Sequence, residues 1–270
     1  MERWMWSSLG PVMPFVSIED RGSVRHLTMS APATKNAVPP GGWAELTDAF
    51  DALSASQQRV LVLRGAGEDF CAGADLGAGA GALGSAAENA DRMRGPGAAA
   101  RALFGVPQPT VAAVDGVAVG AGMNLALGCD IVVATDRARF AEIFVRRGLA
   151  LDFGGTWLLP RLVGLARARE IALTGRMVPA AEALAIGMVS AVVAPGELED
   201  AVAGVAGELA AGAPLAQRFI KTGLARATTM SFEQALDWET QAQAVLLGSD
   251  DFREGTSAFL EKRLPRFEGR

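Results

Sequence analysis

The stretches that decide the fold are Phe70-Cys71-Ala72-Gly73-Ala74-Asp75-Leu76 and Gly120-Ala121-Gly122-Met123-Asn124-Leu125. Each follows a run rich in apolar and β-branched residues, Val60-Leu61-Val62-Leu63 before the first and Thr110–Val114 before the second. Most of their side chains are too small to react. The groups that these stretches offer to a ligand are therefore the N–H donors of the backbone.

The second stretch follows a turn at Asp115-Gly116 and opens a segment, residues 123–127, that reads as the start of a helix. The first turn of a helix has unpaired N–H groups and a partial positive charge, so small residues there let an anion or a polarised carbonyl come close. One N–H group from each stretch would form an oxyanion hole. Small residues would equally allow a helix to pack closely on a sheet, and both interpretations stay open at this point.

Composition and charge restrict the class of protein. With 270 residues, half of them hydrophobic, the chain can bury a substantial core as one large domain, or as one domain plus an appendage. Its net charge of −5 argues against nucleic acid as a principal partner. The two cysteines, Cys71 and Cys129, have no metal-ligand spacing around them, which argues against structural zinc and disulfides and favours a cytoplasmic protein.

Neither a secretion signal nor a membrane span is predicted. Residues 1–6 lack a basic region followed by an apolar one, and residues 1–20 are expected to be a loose N-terminal extension. The most apolar region, residues 106–134, is interrupted by Asp115, Asn124 and Asp130, which leaves no clean apolar span of about twenty residues. This region is interpreted as a buried core segment.

The hydrophobic pattern predicts a mixed α/β core followed by helices. Strands are expected at residues 23–29, 60–63, 110–114, 131–134, 139–141 and 188–193, and helices at 41–55, 88–104, 166–174 and 180–186. Further on, helices alone are expected, at residues 197–211, 214–227, 231–247 and 250–262. We therefore divide the chain into a core over residues 1–199 and a helical C-terminal region over residues 200–270.

Two features are set aside. The spacing Gly79-x-Gly81-x-x-Gly84 lies in a glycine and alanine tract that no strand enters directly, so we infer a mobile flap near residues 77–97 rather than a dinucleotide site. The single histidine, His26, lies in a predicted strand without a Ser or Cys motif to pair with. It is interpreted as a structural residue.

Several motifs together resemble the crotonase superfamily, which is the enoyl-CoA hydratase/isomerase family. They are the two opening stretches, Asp115-Gly116-Val117-Ala118-Val119, Cys129-Asp130-Ile131-Val132-Val133-Ala134, Gly154-Gly155-Thr156 with Leu159-Pro160-Arg161, Glu254-Gly255, and Phe259-Leu260-Glu261-Lys262-Arg263. The resemblance covers about residues 23–267. It implies a spiral of ββα units with two stacked sheets, followed by C-terminal helices that build a homotrimer or a homohexamer.

The resemblance also implies an acyl-CoA thioester substrate from reactions such as those of fatty acid metabolism. Coenzyme A is then part of the substrate, and neither a separate cofactor nor a metal is expected. The two oxyanion donors map onto the N–H groups of Ala74 and Ala121. The family usually has glycine at the second position, and alanine is tolerable there because only the backbone is used.

One departure from the hydratases decides the expected reaction. The positions of the two glutamates that activate water in hydratases hold Asn124 and Phe144, and neither can act as a general base. The remaining acid, Asp152, is placed similarly to the catalytic aspartate of dienoyl-CoA isomerases and ring-epoxide isomerases. An aspartate in an apolar pocket is a better proton acceptor once it is ionised. We therefore expect isomerisation of a double bond or a ring in an acyl-CoA, with Asp152 as acid and base.

Other interpretations stay open beside this one. Asp152 would alternatively cap the helix that is predicted to begin near Gly154. Hydration or thioester hydrolysis would use water held by Asn124 and the backbone, and a chain without the glutamates would alternatively be a non-catalytic acyl-CoA binding protein. Glu142 lies two residues from Phe144 on a predicted helical turn, so it is expected to point elsewhere and is interpreted as a residue that supports the site from behind or is purely structural.

The resemblance further implies which residues bind the substrate. Lys35 matches a loop that lies along the pantetheine and phosphates, while Phe259 and Lys262 match a segment that reaches the ligand of a neighbouring subunit. Each lysine would equally be a solvated surface charge. The other expected contacts surround the donors: Ala72, Gly73, Asp75, Leu76, Gly120, Asn124 and Phe144. Neither nucleic acid nor a membrane is expected as a partner.

Overall fold

The computed structural model describes residues 14–77 and 84–270. It begins with an antiparallel hairpin of β1 (Val16–Arg21) and β2 (Val24–Met29), whose turn contains Gly22 at a φ of +60°. The prediction of a loose extension was therefore wrong for residues 16–20, and residues 1–13 lie outside the described ranges. β1 is an edge strand with mostly exposed side chains, so it carries little of the buried alternation that marks a strand in a sequence.

The remaining strands form two sheets. They are β3 (Val60–Gly65), β4 (Thr110–Val114), β5 (Val117–Val119), β6 (Ile131–Thr135), β7 (Arg139–Ala141), β8 (Val178–Pro179) and β9 (Ala191–Val193). The larger sheet has the order β1-β2-β3-β4-β6-β9 and is parallel from β2 onward. The smaller sheet has the order β5-β7-β8.

The chain passes from the larger to the smaller sheet after β4 and again after β6. The first of these passages turns at Gly116, whose φ is +54° and where a Cβ would lie 2.2 Å from the backbone oxygen of Glu68. Only glycine fits such a position. The strand pairs β1-β2, β4-β5 and β6-β7 are each followed by helix, in agreement with the spiral of ββα units on two stacked sheets that the resemblance implies.

Helices connect the strands and close the core. They are α1 (Gly42–Ser54), α2 (Ala86–Arg92), α3 (Arg94–Gly105), α4 (Ala121–Leu127), α5 (Gly155–Val163), α6 (Leu165–Thr174) and α7 (Ala180–Ala185). The helix expected over residues 88–104 is divided at Met93 into α2 and α3. α1 packs on α3, and Leu46, Phe50 and Leu103 join the main core.

The chain ends in α8 (Leu198–Ala211), α9 (Pro214–Ala227), α10 (Phe232–Leu246) and α11 (Asp250–Glu261). Along β3, Leu61 and Leu63 enter the main core while Val60 and Val62 face the opposite side, as the period of two in a strand requires. α8 covers that opposite side, so it belongs to the packing of the larger sheet although it begins next to the boundary predicted at residue 199.

Large apolar side chains remain exposed on α9 to α11, on the segments that join them and on the segment that follows α11. They are Ile220, Leu224, Phe232, Leu236, Val245, Leu247, Phe252, Phe259, Leu260 and Leu264. None of the helices in residues 14–77 and 84–270 has both the length and the apolarity that a membrane span requires.

Candidate active site

The first donor stretch is held in place by its backbone. The N–H of Val38 donates to the oxygen of Gly73 at 2.8 Å, and the N–H of Asp75 donates to the oxygen of Val38 at 2.9 Å. Ala74 therefore lies opposite Val38 in a short parallel bridge. In such a bridge the flanking residues bond to the partner, and the N–H of the central residue points to the other side. The N–H of Ala74 is thus turned away from Val38.

The second donor lies at the start of a helix. Ala121 is the first residue of α4, so its N–H has no acceptor inside that helix. Gly120 precedes it with a φ of +57°, and the N–H of Gly120 donates to the oxygen of Ala141 at 2.8 Å. This bond ties the start of α4 to the end of β7.

Cys71 joins the two stretches to each other. Its N–H donates to the oxygen of Val117 at 2.9 Å, and its oxygen accepts from the N–H of Val119 at 3.0 Å. Gly73 has a φ of +91°, and a Cβ on it would lie 2.8 Å from the oxygen of Val119 and 3.5 Å from the nitrogen of Ala121. A side chain at Gly73 would therefore push the two stretches apart.

The N–H groups of Ala74 and Ala121 consequently lie on adjacent stretches and stay open. Within residues 14–77 and 84–270, no oxygen accepts a hydrogen bond from either of them. Two unpaired amide donors on neighbouring segments are the components of an oxyanion hole, which stabilises negative charge on a carbonyl oxygen.

A cluster of three polar side chains lies beyond the second donor. Asn124 on α4 is fully buried, and its Nδ2 is 3.4 Å from Oε2 of Glu142 and 3.0 Å from the backbone oxygen of Asp152. A Cβ on Gly155 would lie 2.4 Å from the same Nδ2, so only glycine lets α5 approach Asn124 this closely. The amide of Asn124 thereby connects Glu142 to the loop that carries Asp152.

Both acids of this cluster have raised pKa values. Burial raises the pKa of Asp152 to about 6. Burial also raises the pKa of Glu142 to about 8, against the opposing effect of the Asn124 hydrogen bond and with the negative charge of Asp152 adding to the rise. In the described ranges, Oδ1 of Asp152, Oε1 of Glu142 and Oδ1 of Asn124 are buried without a hydrogen-bond partner. Near neutral pH, Asp152 is therefore mostly ionised while Glu142 keeps its proton.

The structure differs from two expectations about these acids. Glu142 contacts Asn124 instead of pointing elsewhere, because it precedes the 3-10 helix Ile143–Arg147 and has non-helical angles, φ −84° and ψ 72°. Asp152 does not cap α5: the residue at the N-cap is Gly154, and no side chain bonds to the cap. Only the backbone oxygen of Asp152 accepts from the first turn, from the N–H of Gly155 at 2.9 Å.

Comparison with known proteins identifies the family of this chain. A family model described as enoyl-CoA hydratase/isomerase matches residues 19–270. The chain belongs to the enoyl-CoA hydratase/isomerase family. Members of this family act on acyl-CoA substrates.

Relatives of this family include both isomerases and hydratases. The chain is 38% identical over 264 residues to 1,2-epoxyphenylacetyl-CoA isomerase of Escherichia coli, covering 96% of this chain and 100% of the relative. It is 32% identical over 256 residues to short-chain-enoyl-CoA hydratase of Clostridium acetobutylicum, covering 92% and 95%. The crystal structure of an enoyl-CoA hydratase from Bacillus anthracis has a TM-score of 0.91 and 30% identity, covering 95% and 100%. The fold is thus the crotonase fold, and the specific reaction is not determined by these relatives.

Phe144 forms an apolar wall beside the second donor. Its ring is buried, and a Cβ on Gly120 would lie 3.6 Å from its Cζ. Beside the second donor, this chain therefore has an aromatic ring and the amide of Asn124. The acids that the structure brings to this place are Glu142 and Asp152.

Lys35 lies beside the first donor stretch. Its backbone oxygen accepts from the N–H of Ala72 at 2.9 Å, and its Nζ is 3.4 Å from Oδ2 of Asp69. Further along the stretch, Oδ1 of Asp75 accepts from the N–H of Gly77 at 2.9 Å, which is a turn contact. The part of the expected flap at residues 78–83 lies outside the described residues.

Phe259 and Lys262 are not brought to the donors within this chain. Phe259 on α11 is 82% exposed and lines a surface cavity of about 530 Å³ together with Leu215, Phe252 and Phe267. Lys262 ends the same helix at a φ of +54°. If either residue contacts a substrate, that substrate is bound at the donors of another subunit.

Two other residues that the sequence singles out lie in structural positions. Burial raises the pKa of Cys71 to about 12, which keeps its sulfur as an unreactive thiol at neutral pH. His26 is half-buried in β2, opposite Glu19 of β1 and Val62 of β3. The sequence does not predict the inward direction of Glu142, since nothing in its helical spacing indicates the non-helical backbone that turns it toward Asn124.

Proposed function

We propose that this protein is an acyl-CoA isomerase in which Asp152 serves as acid and base. The observation that carries the proposal is the half-buried carboxyl of Asp152, whose Oδ1 is buried without a partner in the described ranges and whose pKa is raised to about 6. A general base works best when its pKa is near the operating pH. Neither Asn124 nor Phe144 supplies an alternative base.

In the proposed reaction, the thioester oxygen accepts hydrogen bonds from the N–H groups of Ala74 and Ala121. Asp152 removes a proton from the carbon next to the carbonyl, and the electron pair of that C–H bond moves onto the thioester oxygen as an enolate. Each donor in an oxyanion hole lowers such a barrier by roughly 3 kcal/mol. Return of the proton to a different carbon leaves Asp152 ionised for the next cycle, so no cofactor beyond the coenzyme A of the substrate is required.

The identity of one relative supports a choice of substrate class. The Escherichia coli protein at 38% identity is named 1,2-epoxyphenylacetyl-CoA isomerase. We therefore propose CoA esters of ring compounds, together with acyl-CoA esters that carry a displaced double bond, as the first substrates to test.

A hydratase is the second candidate. It is favoured by the buried Oδ1 of Asn124, which has no partner in the described ranges, because that oxygen could hold a water beside Asp152. The hydratase relative from Clostridium acetobutylicum supports the same candidate. A non-catalytic acyl-CoA binding protein is the third.

Replacement of Asp152 by asparagine separates the three candidates. Turnover of a panel of epoxide and unsaturated acyl-CoA esters is measured by mass spectrometry, and acyl-CoA binding is measured by calorimetry. Lost isomerisation with retained binding supports the isomerase. Hydrated product that persists in Asp152→Asn supports the hydratase, and a parent protein that binds but converts no ester supports the binding protein.

We also propose that the chain self-associates as a homotrimer or a homohexamer through α9 to α11. Their exposed apolar side chains form a surface of the kind that marks an interface. Lys35 of one subunit and Phe259 and Lys262 of another would then contact the coenzyme A. Light scattering measures the assembly, and a monomer at micromolar concentration would contradict this proposal.

A further inference from the structure

Glu142 is a buried acid that the proposed reaction does not use. Its side chain is fully buried, and no lysine or arginine in the described ranges forms an ion pair with it. Its Oε2 accepts a hydrogen bond from Nδ2 of Asn124 at 3.4 Å, while its Oε1 has no partner among residues 14–77 and 84–270. Burying a carboxylate without a cation is costly, so such a group stays protonated. A glutamate on the protein surface would be solvated and ionised, so Glu142 is neutral because of its buried position.

Asp152 is the charged group that interacts electrostatically with Glu142. Asp152 is the charged group whose field adds to the rise in the pKa of Glu142. α4, which carries Asn124, has no charged residue. On the other surrounding elements, the charged side chains are exposed or paired: Arg139, Arg146, Arg147, Arg161, Arg167, Arg169 and Glu170, and Arg176 with Glu182.

The backbone makes this arrangement rigid. Asn124 reaches both Glu142 and the backbone oxygen of Asp152, and the Cβ-free Gly155 packs against its amide. A Cβ on Gly175 would lie 3.3 Å from the backbone oxygen of Glu142, so the turn after α6 packs closely against the backbone of Glu142. Movement of Glu142 would therefore displace Asn124 and, through it, the loop of Asp152.

We propose that Glu142 is a positioning residue for the proton transfer: its protonated carboxyl holds Asn124 against the Asp152 loop and leaves the single negative charge of the cluster on Asp152. The inference rests on the proposed function for the role of Asp152. Two neighbouring carboxyls that ionise in sequence form one coupled pair, and the pair is active when it carries one proton. A second ionisation, at Glu142, would place another anion beside the enolate that forms in the reaction and would oppose it.

The pH dependence of kcat/KM tests this inference. Activity on the best substrate of the panel is measured from about pH 5 to pH 10 in the parent protein, in Glu142→Gln and in Glu170→Gln, an exposed control on α6. We expect a rise near pH 6 from Asp152 and a fall near pH 8 from Glu142 in the parent and the control. Glu142→Gln is expected to keep the rise and to lose the fall. For each protein, kcat/KM at one pH unit above the fall is divided by kcat/KM at neutral pH. This ratio should be about tenfold higher for Glu142→Gln than for the parent.

A Glu142 that only fills space gives a different result. Its glutamine variant would lower kcat/KM by the same factor at every pH and would retain the alkaline fall, and this outcome overturns the inference. Near-ultraviolet circular dichroism confirms that the variant is folded, which is expected because glutamine has the size of the protonated acid.

A second measurement needs no substrate and separates this inference from the proposed function. Infrared spectroscopy of the free protein at neutral pH detects the C=O stretch of a protonated carboxylic acid. We expect such a band in the parent and in Glu170→Gln, its loss near pH 8 and its absence in Glu142→Gln. If the band is present in Glu142→Gln at the same intensity, Glu142 does not hold the proton and the inference fails, whatever reaction the protein catalyses.

Discussion

The pair of donor stretches and the acid cluster lie side by side, yet they depend on the sequence in different ways. The donors are backbone amides fixed by the Cys71 bridge and by glycines without room for a Cβ. The acid cluster is made of side chains, those of Asn124, Glu142 and Asp152, three of whose oxygens have no partner in the described part of the chain. In the proposed function, the backbone supplies the donors of the oxyanion hole, and the side chains determine which reaction of the enolate follows.

Gly122→Ala would break the donor half most severely. A Cβ at this position would lie 2.2 Å from the backbone oxygen of Cys71, the group that holds the two stretches together. We expect a loss of about 3 kcal/mol in the free energy of unfolding, from overpacking against backbone that cannot move aside. Turnover would fall by about 10³ because the donors no longer face one oxygen. Urea unfolding and steady-state kinetics measure the two effects.

Gly204→Ala is the matched control for this prediction. Gly204 lies within α8, and a Cβ there would meet no atom within 4 Å. Alanine favours a helix interior over glycine by roughly 0.5 to 1 kcal/mol, so this variant should be slightly more stable and fully active. Equal stability of the two variants would show that the contact with Cys71 does not constrain the donors.

Asp152→Asn leaves the donor half intact and removes the proposed base. We expect kcat to fall by about 10³ with little change in acyl-CoA affinity, since the amide cannot accept the proton. Asp48→Asn, at an exposed position of α1, serves as the control and should keep full activity. A loss of less than about tenfold in Asp152→Asn would place the base elsewhere in the cluster.

The pH dependence of stability sharpens the contrast, because the raised pKa values of the acid cluster lie between about 6 and 8 whereas the pKa of Cys71 in the donor half is raised to about 12. The pKa values of Glu142 and Asp152 are raised in the folded state, so the native protein holds protons that the unfolded chain has released. The free energy of unfolding should therefore fall as pH rises, by roughly 1 kcal/mol per pH unit between about pH 6 and pH 8, where Glu142 contributes most and the share of Asp152 declines. Urea unfolding at several pH values measures the slope.

Glu142→Gln should flatten that slope and raise the stability at alkaline pH. Glu170→Gln, an exposed replacement, should leave the slope unchanged. An unchanged slope in Glu142→Gln would mean that Glu142 ionises as freely in the folded protein as in the unfolded chain.

Ala121→Gly should have the smallest effect of these changes. The substitution keeps the N–H that begins α4 and removes only a buried methyl group. We expect kcat to change by less than about threefold, with a cost of at most about 1 kcal/mol in stability from the added freedom of glycine. A fall of a hundredfold or more in kcat would contradict the view that the backbone amide is the functional group.

The sequence predicts most of the spiral because its signals there are strong. The strands Thr110–Val114 and Arg139–Ala141 and the helix Pro214–Ala227 have the predicted bounds. β1 is missed since it is an exposed edge strand that is held by pairing with β2. β5 is missed because a strand of three residues is too short for a period to be recognised.

The candidate site likewise has features that the sequence predicts and features that it does not. Ala74 and Ala121 are assigned as donors by the family resemblance of their motifs, and in the described ranges neither N–H has an acceptor. The inward direction of Glu142 could not be predicted, because it depends on the backbone angles at the junction between β7 and a 3-10 helix. The absence of a cap at Asp152 is likewise a property of the αL turn at Gly154, with a φ of +83°.

Proton exchange at the carbon next to the thioester tests the account most directly, because it isolates the first step from any later rearrangement. Phenylacetyl-CoA is incubated in deuterated buffer with the parent protein or with Asp152→Asn, and deuterium uptake at that carbon is followed by NMR. We predict exchange by the parent, and a rate about 10³ lower for Asp152→Asn at equal occupancy of the site. Equal exchange rates for the two proteins at saturating ligand would contradict the account.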